Sequence, residues 1–392
     1  MSVVTPPRIR LLLAAAALAC AELWIGKSGW ASDAGPWEVG AVLDVAASAR
    51  DMAMGARSQG LQVGHSDLLI RGPLGAPFAA EAIFAGHTVH GRLEHHVEKF
   101  SLRTRTLPAG LSAMAGRFAS QIGYLNEQHP HTDDFSERPL LYRGFFGGHW
   151  FDDGVRLNWT APTPFYLRIG AEAFSGRQLI QNSETAQRPG AGVVSLKTGG
   201  DLNVSNSWQF GLSYLNNRRR SPAHHHEEAR GDEHAHGAEF NGKHMWMSDF
   251  VYKWSPNGDV KRQQLRLIGE HAQVSGIHPE SGSRRHAGST LAVVWRFIPA
   301  WEIGARTDWL SVNRPELHHE DGVDALEFGA ARLREDALMV AYKPSHRQTY
   351  RLQVSRQRAS GVAADDVFPG VAKHIVQFQV VFGFGAHGAH SY

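Results

Sequence analysis

Residues 208–215 read Trp208-Gln209-Phe210-Gly211-Leu212-Ser213-Tyr214-Leu215, and this octet decides the fold. Trp208, Phe210, Leu212 and Tyr214 fall on one side of an extended chain, and Gln209, Gly211 and Ser213 on the other. Successive side chains of a strand point to opposite faces, so a period of two marks a strand lying between two unlike environments. Met245–Trp254 repeats the pattern, with Trp246, Phe250, Tyr252 and Trp254 against Asp249 and Lys253. Between these segments lies Ala223–His236, AHHHEEARGDEHAH, with five histidines and four carboxylates, which reads as a long polar loop joining two antiparallel strands.

The same alternation runs outward in both directions. Phe165, Leu167 and Ile169 oppose Tyr166, Arg168 and Glu172; Tyr350, Leu352 and Val354 oppose Arg351 and Gln353; Val376, Phe378, Val380, Phe382 and Phe384 oppose Gln377 and Gln379. Sixteen such strands can be read: Trp37–Ser48, Leu61–Arg71, Phe78–His87, Arg92–Thr104, Leu111–Ser120, Gly154–Trp159, Phe165–Phe174, Gly192–Gly199, Trp208–Leu215, Met245–Trp254, Lys261–Val274, Gly288–Phe297, Trp301–Val312, Asp336–Tyr342, Gln348–Arg356 and Ala372–Phe384. Even-numbered strands are followed by tight Pro/Gly turns such as Gly72–Gly75, Leu107–Gly110, Ser255–Gly258 and Ile298–Ala300, with Gly200–Ser207 the long exception. Odd strands are mostly followed by long polar connections: Ile122–Trp150, Arg177–Ala191, Asn216–His244, Ser275–Ala287, Asn313–Glu335 and Gln357–Val371. Turns on one side and loops on the other imply an all-β, transmembrane antiparallel up-and-down β-barrel of about 16 strands rather than a soluble β-sandwich. A barrel of that size leaves an aqueous channel.

Arg8 and Arg10 precede the apolar run Leu11–Ala21, which is too short for a membrane helix and reads as a secretory signal. Residues 1–31 are assigned to it, with cleavage after Ala21 or Ala31, and residues 32–392 to the barrel with a His-rich loop at 218–244. Cys20, the only cysteine, falls at this boundary, where lipidation is the alternative reading. A mature chain without it has neither disulfides nor thiolate ligands. The first strand follows so closely that no plug domain is expected. A net charge of +2 without a basic helix gives no reason to invoke nucleic acid.

Histidine is over-represented, with 23 in the chain. Most fall in or beside the longer connections: His87, His90, His95 and His96; His129, His131 and His149; His278 and His286; and the two groups that follow. Imidazole with carboxylate, in the absence of thiolate, is a ligand set for zinc, copper and nickel. The candidate ligands are His224, His225, His226, Glu227, Glu228, His234 and His236 in the connection Asn216–His244, with His318 and His319 in Asn313–Glu335. A His-rich tract also binds such ions loosely, without defined geometry. No cofactor is required, and Zn²⁺ is the ion the loops suit. The connection Ile122–Trp150 carries Glu127, Asp133, Asp134 and Glu137. Folded inward, it would face Arg168, Arg296, Arg306 and Arg351 on the wall and set a transverse field at a pore constriction. Catalytic motifs are lacking: there is no HExxH and no GxSxG, and the GxGxxG match at Gly383–Gly388 has no helix after it, so no enzymatic activity is expected.

A more particular signal comes from a run of short segments. Leu107-Pro108-Ala109-Gly110-Leu111, Ala115-Gly116-Arg117-Phe118, Ile122-Gly123-Tyr124-Leu125-Asn126, His129-Pro130-His131, Pro139-Leu140, Tyr142-Arg143 and Asp153-Gly154-Val155 occur in order. Gly211–Leu215, Trp254-Ser255-Pro256-Asn257-Gly258 and Gly385–His390 extend it. This resembles a family of proteobacterial outer-membrane β-barrels with His-rich loops, porin-like and often labelled zinc-regulated TonB-dependent outer-membrane receptors. The resemblance implies an outer-membrane location with extracellular loops, outer-membrane lipid around the barrel, and a link to zinc supply. It leads to a porin-like channel for small solutes that takes part in divalent-metal acquisition. The alternatives are a TonB-dependent metal receptor lacking its own plug, partnered by the TonB system, and a non-transporting surface barrel that buffers metal.

Overall fold

The structure, a computed structural model, describes residues 36–89, 92–179, 189–219, 240–320 and 323–385. Among them run seventeen strands: β1 (Glu38–Ser48), β2 (Gly60–Val63), β3 (Ser66–Leu74), β4 (Phe78–Val89), β5 (Arg92–Thr104), β6 (Leu111–Ala119), β7 (Phe151–Thr160), β8 (Tyr166–Phe174), β9 (Ala191–Asn203), β10 (Asn206–Asn217), β11 (His244–Trp254), β12 (Gln264–Ser275), β13 (His286–Ile298), β14 (Trp301–Glu320), β15 (Val323–Ser345), β16 (Gln348–Ser360) and β17 (Ile375–Gly385). From β3 onward each pairs antiparallel with the next, and β17 returns to β1 with Val380 opposite Val45, closing the sheet. β2 and β3 both lie on β1, one beyond the other, so they share one place and sixteen staves form the ring.

The two faces explain the closure. Val155, Leu157, Leu291, Val293, Trp295, Leu338, Leu352, Val354, Val376 and Phe378 are exposed on the outside, while Gln353, Gln377, Gln379 and Arg351 between them are buried within. An apolar belt of this extent belongs in hydrocarbon, where only a closed ladder satisfies every backbone group. Near the turns the belt ends in aromatics, with the Trp301 and Tyr342 rings 4.9 Å apart and Tyr342 and Tyr350 6.1 Å apart. The turns need their special residues: at Gly110 (φ 76°) a Cβ would sit 2.1 Å from the Thr160 carbonyl oxygen. No described helix is long and apolar enough to cross a membrane.

Three features differ from the sequence expectation. The long exception at Gly200–Ser207 closes to a tight turn, because β9 runs to Asn203 and β10 starts at Asn206. The expected loop Asn313–Glu335 is instead a hairpin: pairing of β14 with β15 continues through Pro315–Phe328 and Leu317–Leu326 to Glu320–Val323. Its polar composition reads as loop, yet a two-stranded ribbon beyond the lipid needs backbone partners and no apolar face. The third difference lies within the lumen. Residues 120–150 turn inward after β6, and helix α1 (Leu140–Phe146) sits inside the barrel, ended by Gly147 at φ 63°. Leu140, Leu141, Phe145, Phe146 and Trp150 are buried with Phe118 and Phe174 against the inward Met245, Met247, Val274, Leu310, Val312 and Leu333. An aqueous lumen is therefore partly replaced by an apolar core, because these side chains have nowhere else to leave water.

Purified protein is expected to need detergent, to give a β-rich circular dichroism spectrum, and to migrate differently on gels before and after boiling. A helical spectrum, or solubility without detergent, would contradict the barrel.

Candidate metal centre inside the barrel

Two irregularities in the wall create the site. Val45 pairs with Val63 and Val42 with Asp67, so three steps along β1 face four steps along β2–β3. The extra residue is a bulge at Gly64–His65, where Gly64 N donates to Asp44 O at 2.9 Å and a Cβ on Gly64 would lie 2.4 Å from the Asp44 carboxylate. A bulge reverses the in–out phase of all that follows. Gln62 is buried before it and Asp67 after it. A second bulge lies on β5: Ile83 pairs with Lys99 and Phe84 with Val97, leaving Glu98 as the unpaired residue. Glu98 thus reaches the lumen from a bulge and Asp67 from the strand just beyond one, where sheets often re-aim a side chain.

The inward loop supplies the other half. Asn126 ties its two ends together, its Nδ2 donating to Ser120 O (2.7 Å) and Trp150 O (2.8 Å) and its Oδ1 accepting from Trp150 N (2.7 Å). His129, His131 and His149 are thereby carried to the wall. His65 Nε2 lies 3.1 Å from Asp67 Oδ1 and 3.0 Å from Glu98 Oε1. His129 Nδ1 lies 3.2 Å from Asp67 Oδ2 and 3.3 Å from Glu98 Oε2. His131 Nδ1 is 3.1 Å from Asp67 Oδ2, and His149 Nε2 is 2.8 Å from Glu98 Oε1. His96 Nε2 stands 3.5 Å from Glu98 Oε1, and the His87 ring is stacked 6.5 Å from that of His65. His65, Asp67, Glu98 and His129 present ligand atoms within 4.8 Å of one another. The buried His65 Nε2, Asp67 Oδ1 and His131 Nδ1 make no aligned hydrogen bond although polar atoms stand about them, as donors aimed at a common centre would.

Charge in the loop half follows burial and partners. Burial alone would depress His129, but bonds to Asp67 and Glu98 outweigh it and lift its imidazolium to about 9. At His149 burial wins over the pull of Glu98 and lowers it to about 4, and it lowers His131 as well. His129 is thus held between the two carboxylates that also face His65.

The other candidates fall in different places. His224, His225, His226, Glu227, Glu228, His234 and His236 lie outside the described residues. His318 and His319 are in the hairpin, opposite Ala325 and Asp324. The loop acids meet wall cations: Glu127 is 2.7 Å from Arg156 and 3.5 Å from Arg168, and Asp134 contacts Arg266. Glu137 accepts from Gln377 (3.0 Å) and Ala56 N (3.0 Å), while Asp133 pairs with Arg138 at 2.9 Å. Arg296 binds Glu302 at 2.5 Å, Arg306 binds Asp308 and Glu335, and Arg351 contacts Gln379 and the Asp133 carbonyl. Among the histidines noted in the sequence, His87, His95 and His96 lie in strands rather than a loop, with His95 exposed. His65, Asp67 and Glu98 were missed. No local signal marks them, because bulges are invisible to a period-two reading.

No protein-family profile matches the chain. A protein of Aquifex aeolicus (strain VF5), described only as uncharacterized, is 29% identical over 321 residues, 76% of this chain and 63% of the relative. The match therefore spans less than two thirds of that relative's length. Among solved structures, the loop-L8 deletion mutant of OmpT, an outer membrane protein of Vibrio cholerae, has a TM-score of 0.55 at 9% identity, covering 90% of this chain and 100% of that one. An anion-selective porin from Comamonas acidovorans gives 0.53 at 12%, covering 89% and 99%. OprB of Pseudomonas putida gives 0.52 at 11%, covering 89% and 94%. At such identities the likeness is one of fold, the closed outer-membrane barrel.

Proposed function

We propose that this protein is an outer-membrane channel for small solutes, not an enzyme, whose lumen carries a divalent-metal site through which it serves zinc acquisition. The observation that carries the reading is the meeting of His65, Asp67 and Glu98 from the wall with His129 from the inner loop. Nitrogen and oxygen donors without thiolate suit Zn²⁺, with Cu²⁺ and Ni²⁺ as competitors. An ion held there ties loop to wall and adds positive charge to the path. In this reading the long connections face outward from the cell, and the histidines of 224–236 with His318 and His319 gather ions at the mouth. Glu127–Arg168 and Asp134–Arg266 then line the passage between loop and wall and help select solutes. TonB-driven uptake rests on the resemblance, and a metal-buffering barrel on the His-rich loops; uptake in a strain without TonB tests the first.

The channel test is conductance in planar bilayers. Zn²⁺ is expected to lower the K⁺ current of the parent protein, and to leave that of Asp67→Asn/Glu98→Gln unchanged. A parent current indifferent to Zn²⁺ would remove the lumenal site from the function.

A further inference from the structure

The carboxylates of the centre divide their oxygens between opposite sets of imidazoles. For His65 the nearest oxygens are Asp67 Oδ1 and Glu98 Oε1, at 3.1 and 3.0 Å. For His129 they are the other two, Asp67 Oδ2 and Glu98 Oε2, at 3.2 and 3.3 Å. The remaining histidines follow the same division: His149 approaches Glu98 Oε1 at 2.8 Å, with His96 behind it at 3.5 Å, and His131 approaches Asp67 Oδ2 at 3.1 Å. Each carboxylate thus turns one oxygen to His65 and the other to His129, with His149 beside the Glu98 oxygen that faces His65 and His131 beside the Asp67 oxygen that faces His129. Ligands held about 2.0–2.1 Å from one tetrahedral ion stand roughly 3.3 Å apart, close to these six nitrogen–oxygen separations of 2.8–3.3 Å. Six side chains exceed the four places of one tetrahedral shell, whereas two shells sharing two carboxylates use all of them.

We infer that the centre holds two divalent transition-metal ions, bridged by Asp67 and Glu98. One ion is bound by His65 and His149 and the other by His129 and His131. This rests on the reading that the lumenal centre binds such ions at all. The bridged pair would stand about 3.5–4 Å apart, as in other two-metal sites. The first ion takes His65 from the wall and His149 from the base of the loop; the second takes both nitrogens from the loop. The loop is then joined to the wall through metal at two points.

The test compares full-length parent protein with Asp67→Asn/Glu98→Gln and with His129→Ala/His131→Ala, each first shown to keep the unboiled gel mobility of the folded barrel. Zinc bound per chain is measured after equilibration with a Zn²⁺ salt. Subtracting the carboxylate variant removes ions held elsewhere, including any on 224–236. The expected difference is two ions for the parent and one for His129→Ala/His131→Ala. A parent difference of one would overturn the paired site and leave the proposed function standing, and a difference of zero would overturn both. Loading with Cu²⁺ gives a second readout: electron paramagnetic resonance should show a spin-coupled, half-field signal in the parent, absent from both variants. Only uncoupled Cu²⁺ in the parent would also refute the pair.

Discussion

A barrel in which residues 121–149 are replaced by a short Gly-Asn turn is expected to conduct severalfold more current than the parent. The replacement is geometrically simple, since Ser120 N already donates to Trp150 O at 3.1 Å, and the two ends meet. What it removes crosses the lumen. Lys197 donates to Gly123 O at 2.9 Å, Tyr142 to Glu270 at 2.6 Å, and Ser136 N to Gln353 Oε1 at 2.8 Å. The segment therefore touches the wall on several sides, and a ring of sixteen staves without it is wide enough for water. Single-channel recording in planar bilayers reads the outcome. The deleted barrel should also lose the apolar seat of α1 and unfold at lower temperature. Conductance equal to the parent's would mean that the inner loop does not limit the path.

The second large effect is expected at Glu335. Its carboxylate receives Arg143 Nη2 at 2.5 Å, Arg306 Nη2 at 3.0 Å and Gln357 Nε2 at 2.9 Å, and all three charged side chains are buried. Arg143 stands on α1 and Arg306 on β14, so Glu335 on β15 joins loop to wall. Glu335→Ala leaves two buried guanidinium groups short of compensation. Breaking a buried pair in this way costs about 3–5 kcal/mol. Arg306 retains Asp308 at 2.9 Å, which places the cost toward the lower end. The loss should fall on the loop: protease should cut within 120–150 at lower concentration while the barrel keeps its unboiled gel mobility. Glu335→Gln, which retains an acceptor oxygen, should lie between. Protease resistance and melting equal to the parent's would show that the apolar core alone seats the helix.

The sequence by itself determined the barrel. Alternation is a local property: each strand needs only its own residues to show that one side faces lipid and the other does not, so Trp208–Leu215 and Val376–Phe384 were legible alone. Turns of Pro and Gly were legible for the same reason, because φ is set residue by residue. The abundance of histidine suggested metal ligands at 224–236 and 318–319, where density along the chain is highest. Only the tertiary structure brings the lumenal His/carboxylate cluster together. Its residues His65, Asp67, Glu98 and His129 are scattered along the chain, and the bulges at Gly64–His65 and Glu98 change the in–out phase of β3 and β5 at points that no local pattern marks. The hairpin Trp301–Ser345 and the buried helix are non-local as well. One depends on a backbone partner across the ribbon, and the other on a cavity that exists only once the ring has closed. Pairing register and enclosed volume belong to the whole barrel, so no stretch of the chain carries them alone.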